Sequence, residues 1–323
     1  MPMNLRLLQI ADSALPISGY THSWGLEAAI ARGLVHDPES LERWTSRWLR
    51  TCLGPLEGVL VASACRAARD GTPDDLGFRG APARDPVFRQ LWCPILAMNL
   101  RLLQIADSAL PISGYTHSWG LEAAIARGLV HDPEGLERWT SRWLRTCLGP
   151  LEGVLVASAC RAVHVGTPDD LVTLNRLAEV SIIPPSIRTA SREMGEQLLA
   201  LGATWAWCAT GLAPFLKVLP DEPEGWHHPV AFGLLGALAG GGPDEVLTAY
   251  LHQAALGMIG AGVRAIPVGH THGQQVLAYL HDEIRDLAAA LRDREPETAG
   301  AGCPFYEVLC DEQTHLYARM FRS

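Results

Sequence analysis

Apolar residues recur every three or four positions along much of residues 98–323, which is the spacing of one face of an α-helix. Leu136, Trp139, Trp143 and Leu148 follow this spacing after Asp132-Pro133-Glu134, a sequence typical of a helix start. Gly149-Pro150 predicts the end of this helix. The same spacing occurs at 186–201, 246–263 and 273–292, whereas Val230–Ala239 is apolar on most faces and predicts a central helix. Because strand-type alternation does not persist, we predict a single all-α globular domain of about eight to ten helices joined by short Pro/Gly turns.

A long repeat complicates this pattern. Residues 3–76 recur at 98–171, and only four of the 74 aligned positions differ; LPISGYTHSWGLEAA, for example, stands at both 15–29 and 110–124. Structural repeats have periods of about 20–50 residues and diverge between copies. This repeat is longer and nearly perfect, which favours a recent tandem duplication of a helical segment.

The two copies continue differently. Copy two runs into VTLNRLAEVS, which extends a helical pattern, whereas copy one runs into the irregular GFRGAPARDPVFRQ. We therefore predict a duplicated segment at 1–76, a linker at 77–97 and the working domain at 98–323. A close-packed core has one place for each element. Copy one should stay loose, displace its twin or fill that place in a partner chain.

Composition narrows the functional classes. The chain has 48% hydrophobic and 19% charged residues with a net charge of −9, which suits a buried core and disfavours nucleic-acid binding. The N-terminus has no signal-peptide pattern, and Val246–Val263 is predicted to be a buried helix and not a bilayer span. Eight cysteines without a CxxC pair indicate reduced thiols. We expect a cytoplasmic protein without nucleic-acid or membrane partners.

Motifs that would carry chemistry are weak. Gly257–Gly262 reads GxxGxG inside a helical pattern, so close helix packing explains it better than a nucleotide loop. His227-His228 and the pair His270 and His272 could ligate nickel or zinc, but two loose pairs do not make a ligand set. No GxSxG motif supports a serine hydrolase. We predict no catalytic residue and no cofactor, and a hydrolase with an unrecognised site remains a rival.

Four stretches, in order, resemble the urease accessory protein family UreF. Leu110–Glu122 resembles the N-terminal signature of that family, and Ser186–Gly195 resembles its Leu-Arg…Met-Gly helix. Val263–Gln274 resembles its Pro-Leu-Gly-Gln segment, and Tyr317–Ser323 resembles its Tyr-Ser-Arg-Leu-Phe-Arg-Ser terminus. The family usually has Gln at His270, often Asp at His272 and His-Glu at Gln313-Thr314.

The resemblance implies an all-α, dimeric protein that is not an enzyme. Such a protein binds UreD (also called UreH) and recruits the GTPase UreG, so that nickel is inserted into apo-urease. The alternative function is a metallochaperone that binds nickel directly through His270, His272 and His227.

The resemblance also implies two sets of partner-binding residues. The tail set, which would anchor the C-terminus to UreD/UreH, is Tyr317, Arg319, Phe321 and Arg322. The second set, on the dimer or partner surface, is Tyr115, His117, Glu122, Arg264 and Gln274. Structural roles stay open for several of them: Phe321 packing on its own domain, Tyr115 in the core, Glu122 as a local cap, and Arg264 in an ion pair or on helix carbonyls.

Overall fold

The chain divides into two compact units. The computed structural model describes residues 5–12, 23, 25–58, 99–218 and 225–323. One unit combines Met1–Pro16 with Asn99–Ser323, and the other is Ile17–Met98. The predicted linker at 77–97 lies outside the described residues.

The first unit is built from helices. Its helices are α1 (Leu5–Ala11), α4 (Leu100–Ala106), α5 (Leu121–Ala126), α6 (Pro133–Trp143), α7 (Val154–Val165), α8 (Pro168–Ser181), α9 (Pro185–Thr204), α10 (Ala209–Val218), α11 (His228–Leu238), α12 (Pro243–Ala265), α13 (His270–Leu291) and α14 (Pro304–Thr314). Short 3-10 turns occur at Gly114–Thr116 and Pro296–Thr298. Among the described residues the regular secondary structure is entirely helical, without strands, which confirms the predicted all-α class.

The helix that precedes Gly149-Pro150 does not end there, contrary to the prediction. Residues Leu144–Gly153 form π-helical turns that join α6 to α7, with Pro150 inside the helix. The wider π turn accommodates a ring that lacks an N–H and would disrupt ordinary α-helical bonding. Leu148 and Leu151, on either side of the proline, are both buried, so packing favours continuation.

Helix α11 lies at the centre of the unit, as its apolar sequence predicts. It packs against α7, α9 and α12, and ten of its eleven residues are buried. A glycine sets the approach of α9: a Cβ on Gly195 would stand 2.0 Å from the carbonyl oxygen of Trp226, just before α11. The Met-Gly pair of the second motif is thus explained by close packing.

Two helical segments of this unit are long and apolar enough to cross a membrane by length and composition alone. They are Pro133–Val165 and Pro243–Ala265, and their most apolar windows are 72% and 67% buried inside the protein. Burial of this extent is typical of core helices, in agreement with the prediction for 246–263.

The second unit contains α2 (Leu26–Ala31), α3 (Pro38–Trp48) and π-helical turns at Leu49–Gly58. These elements repeat the sequence of α5, α6 and the following turns almost unchanged. Leu41 and Leu49 are 42% and 45% exposed, whereas their equivalents in copy two, Leu136 and Leu144, are fully buried. Copy two therefore occupies the core, and the apolar stripe of copy one is left partly in solvent.

Helix α1 departs from the expected behaviour of copy one. It belongs to the first unit, where Leu5 and Leu8 are buried and the helix packs on α12 and α13. It neither stays loose nor competes with its twin α4, because it occupies a different position and uses a different face.

Candidate functional site

The signature stretch 110–122 forms a bent connection between α4 and α5. Ser113 and Trp119 have positive φ angles of 65° and 49°, and Gly120 has one of 81°. Such angles are unusual for residues with a side chain and occur where the surrounding structure holds them. At Gly120 a Cβ would also stand 3.1 Å from the amide nitrogen of Cys310, so the position requires glycine.

The C-terminal residues lie on this bent connection. The carbonyl oxygen of Ser323 accepts hydrogen bonds from the amides of Ser118 (2.5 Å) and Trp119 (3.3 Å). One residue earlier, the Arg322 amide donates to the Thr116 carbonyl at 2.8 Å. We call residues 316–323, together with residues 113–122 on which they lie, the tail clasp. Its backbone bonds fix the register of the tail.

Glu122 contributes the central polar contacts of the tail clasp. Its carboxylate accepts the Met320 amide at 2.6 Å and the Phe321 amide at 3.2 Å. The Gln313 side-chain amide donates to the same carboxylate at 3.3 Å. The side-chain oxygen Oε1 of Gln313 in turn accepts from the Ser118 hydroxyl at 2.8 Å, which links α14 to the signature stretch. Glu122 therefore caps amides of the tail, which is the local structural role that the sequence left open for it.

Arg264 joins the tail clasp to α12. Its guanidinium lies 4.7 Å from the centre of the Phe321 ring, a cation–π contact. It also donates to the carbonyl oxygens of Tyr115 (2.6 Å) and Gly260 (2.9 Å). Arg264 therefore caps carbonyls, one of the structural roles left open by the sequence.

Two further side chains hold the end of the tail. Arg322 makes a two-fold ion pair with Glu193 of α9, with N–O distances of 2.8 and 3.1 Å. His117 Nδ1 lies 2.6 Å from the Ser323 hydroxyl oxygen. Burial lowers the pKa of His117 to about 4, so its imidazole is neutral near pH 7.

The side chains of the tail divide into two groups. Phe321 is buried in its own domain at 3% exposure, so its ring does not face solvent. The resemblance, in contrast, implies that Phe321 anchors the tail to UreD/UreH. Tyr317, Arg319 and Met320 are exposed, and Tyr317 is fully so. Tyr115, beside the Arg264 contact, is 65% exposed. Eight of the nine predicted partner residues thus lie in the tail clasp or, in the case of Arg264, contact it.

Gln274 is the exception. It lies at the start of α13, and its backbone carbonyl and side-chain oxygens accept from the Gln9 side-chain amide of α1 at 2.9 and 2.7 Å. The resemblance grouped Gln274 with the partner surface, and no spacing in the sequence indicates that α1 covers it.

A cavity of about 390 Å³ lies behind the tail clasp. Its lining is mostly apolar and includes Ile112, Tyr115 and Trp119 from the signature stretch and Met194 from α9. Its polar lining residues include Glu152 from the π-helical turns, His228 from α11 and Tyr250 from α12.

Of these three side chains, the sequence singled out only His228, as a possible metal ligand. The Tyr250 hydroxyl donates to the Glu152 carboxylate, and burial raises the pKa of Glu152 to about 7. Burial lowers the pKa of His228 to about 3, and its ring lies 5.3 Å from that of Tyr250. A glutamate in an apolar helical stretch is the one signal that could have drawn attention to this cavity.

The candidate nickel ligands are not assembled. His270 and His272 are exposed at the start of α13. His227 is buried, and its ring nitrogens lie 3.1 Å from the Ser191 hydroxyl and 2.9 Å from the Glu179 carboxylate. The described part of the chain contains no group of three or more His, Cys, Asp or Glu side chains suited to a metal ion. The structure therefore does not favour the metallochaperone alternative.

Comparison with known proteins finds the same family that the motifs resemble. The sequence model of the UreF family matches residues 130–281. A urease accessory protein UreF from Arthrobacter sp. (strain FB24) is 31% identical over 225 residues, which is 70% of this chain and 97% of that protein. The UreF of Cereibacter sphaeroides (strain ATCC 17025 / ATH 2.4.3) is 36% identical over 224 residues, 69% of this chain and 98% of its own. The chain therefore belongs to the UreF family of urease accessory proteins, which are not enzymes.

Proposed function

We propose that the chain acts in urease maturation by binding UreD/UreH through its tail clasp and recruiting the GTPase UreG, so that nickel reaches apo-urease. The observation that carries this proposal is the exposed group Tyr317, Arg319 and Met320 on a tail whose backbone is fixed from Met320 to Arg322. Tyrosine and arginine are the residue types that most often dominate binding energy at interfaces. A fixed backbone lowers the entropy that ordering the tail would cost on binding.

The proposal assigns the two parts of the tail different tasks. Phe321, Arg322 and Ser323 hold the tail on its own domain, whereas Tyr317 to Met320 face the partner. Tyr115 extends the same partner surface from the signature stretch. The proposal also includes a homodimer and a cytoplasmic location, as the family resemblance implies.

Co-purification with UreD/UreH tests the proposal. Tyr317→Ala and Arg319→Ala should each weaken binding about tenfold or more, the usual effect of truncating an interface hot spot. Tyr279→Ala is a matched control, because Tyr279 is 71% exposed on α13 and belongs to no predicted site. Circular dichroism should show unchanged helix content in all three variants. Normal binding by the double variant Tyr317→Ala/Arg319→Ala would overturn the proposed role of the tail.

A further inference from the structure

The first helix of copy one occupies a specific groove on the first unit. Its Leu5 and Leu8, one turn apart, are 2% and 3% exposed and face α12 and α13. At the other end of the helix, Gln9 donates to Gln274. Asp12 accepts from the amide and the hydroxyl of Ser108 at 3.1 and 2.8 Å. Apolar burial along the helix and paired polar contacts at its end fix one register.

Comparison of α1 with α4 shows which features this groove recognises. Both helices have the sequence LRLLQIA. Helix α4 buries Leu102 and Ile105 and leaves Leu100 71% exposed. Helix α1 buries the opposite face, since Leu5 is the equivalent of Leu100, while Ile10, the equivalent of Ile105, is 64% exposed. The sequence LRLLQIA therefore has two binding sites on the first unit: the position of α4 and the groove on α12 and α13. The groove contacts the helix face that carries Leu5, Leu8 and Gln9.

The connection between α1 and the rest of its unit is long. Asp12 and Asn99 are 87 positions apart, and the whole of the second unit lies between them. The effective concentration of a tethered element falls as its tether grows longer than the span that it bridges, so cis docking is favoured less here than it would be with a short linker. A second copy of the chain can therefore compete with cis binding, since it offers the same helix to the same groove. Exchange of an identical element between copies needs no new contact surface.

We propose that the groove formed by α12 and α13 is a docking site for the helix Leu5–Ala11, and that one chain places this helix in the groove of a second copy. In the exchanged state the first chain supplies Gln9 and Asp12, and the second copy supplies their partners Gln274 and Ser108. Assembly by this route depends on copy one alone and is independent of binding to UreD/UreH.

Crosslinking between two differently marked full-length chains tests the exchange directly. One chain carries Gln9→Cys and the other carries Gln274→Cys, both with the exposed Cys52 changed to Ser. A short bismaleimide can join these two chains at the engineered positions only when α1 of the first lies in the groove of the second. We expect crosslinked heterodimers whose yield falls on dilution. A chain that carries both substitutions should also close on itself, with a yield independent of concentration.

Matched variants of α1 separate docking from random collision. Leu5→Asp/Leu8→Asp in the Gln9→Cys chain should lower the heterodimer yield about tenfold or more, because it places carboxylates in an apolar groove. Ile10→Asp changes the exposed face of the same helix and should leave the yield unchanged. If the doubly substituted chain closes on itself but mixed chains never crosslink, exchange is wrong. If neither reaction depends on Leu5 and Leu8, the groove is not a docking site.

Discussion

At the scale of single residues, Glu122 is the side chain on which the tail clasp depends most. It accepts two consecutive tail amides and the Gln313 side chain. Replacing it with Ala leaves these donors without an acceptor, at a cost of about 1–3 kcal/mol for each one that stays buried. We expect Glu122→Ala to release the tail and weaken UreD/UreH binding while α5 and the core persist.

Limited proteolysis with carboxypeptidase measures this release. Tail residues should be removed several times faster from Glu122→Ala than from the unchanged chain. Glu134→Ala, an exposed acidic position in the first turn of α6, is the control and should leave the rate unaltered. Equal rates for all three chains would show that Glu122 does not hold the tail.

Glu152, in the cavity, predicts an unusual dependence of stability on pH. Its pKa is about 7 in the folded protein and near 4.5 when exposed, so the folded state binds more protons between these values. The contribution of Glu152 to the free energy of unfolding is fully present below about pH 4.5 and is lost as the pH rises through 7. The free energy of unfolding falls by at most about 1.4 kcal/mol per pH unit in this range. Buried histidines such as His228, with a pKa of about 3, act in the opposite sense below pH 6.5.

Comparing Glu152→Gln with the unchanged chain isolates this contribution. Urea unfolding at several pH values from 5 to 8 should show a loss of stability in the unchanged chain that is absent in Glu152→Gln. Glu297→Gln, at an exposed position, should behave like the unchanged chain. Parallel pH profiles for all three proteins would mean that Glu152 is not the group that titrates.

At the scale of helices, the crossing of α9 against the start of α11 depends on a missing side chain. A Cβ on Gly195 would meet the Trp226 carbonyl at 2.0 Å and the His227 carbonyl carbon at 2.7 Å, both of them backbone atoms. Gly195→Ala must therefore separate the two helices and should destabilise the fold by about 1–3 kcal/mol or more, the usual effect of overpacking.

Gly260→Ala is the matched control for this crossing. Gly260 lies inside α12, and a Cβ there has nothing within 4 Å. Alanine is favoured over glycine in a helix by up to about 1 kcal/mol, so this variant should be as stable as the unchanged chain or more so. Thermal unfolding of both variants decides between a packing effect and a general intolerance of alanine.

Helix periodicity predicted most elements, and its failures have local causes. The stripe Leu136, Trp139, Trp143 marks α6, and the apolar run of α11 marks the centre of the core. The predicted helix end at Gly149-Pro150 is wrong because the backbone there forms a π-helical turn with buried leucines on both sides. This conformation depends on tertiary packing. The motifs indicated the tail clasp residues, but only the fold shows that Phe321 turns inward while Tyr317 turns outward.

At the scale of the whole molecule, the repeated segment adds the helix α1 to the first unit, whose core is filled by copy two. The buried residues of copy two show that its elements fill the core, and the aligned region of the UreF relatives is 224 to 225 residues long. The contribution of copy one to the first unit is α1, with its two buried leucines and the contacts to Ser108 and Gln274. The chain started at Met98 should therefore fold, dimerise and support urease activation.

Deleting the other copy should have the opposite result. Removal of residues 98–171 takes away α4 to α7 and the first turn of α8, and it leaves α11 without α7, the helix on which it packs most closely. Copy one has nearly the same sequence, but it would have to reach those positions through the connection at 77–97, whereas copy two is continuous with α8. Gel filtration and a urease activation assay on the full-length, 98–323 and Δ98–171 chains make the comparison. A folded, active Δ98–171 chain, or an unfolded 98–323 chain, would show that copy one is part of the core. We also expect the 98–323 chain to aggregate less than the full-length protein, because it lacks the exposed Leu41 and Leu49.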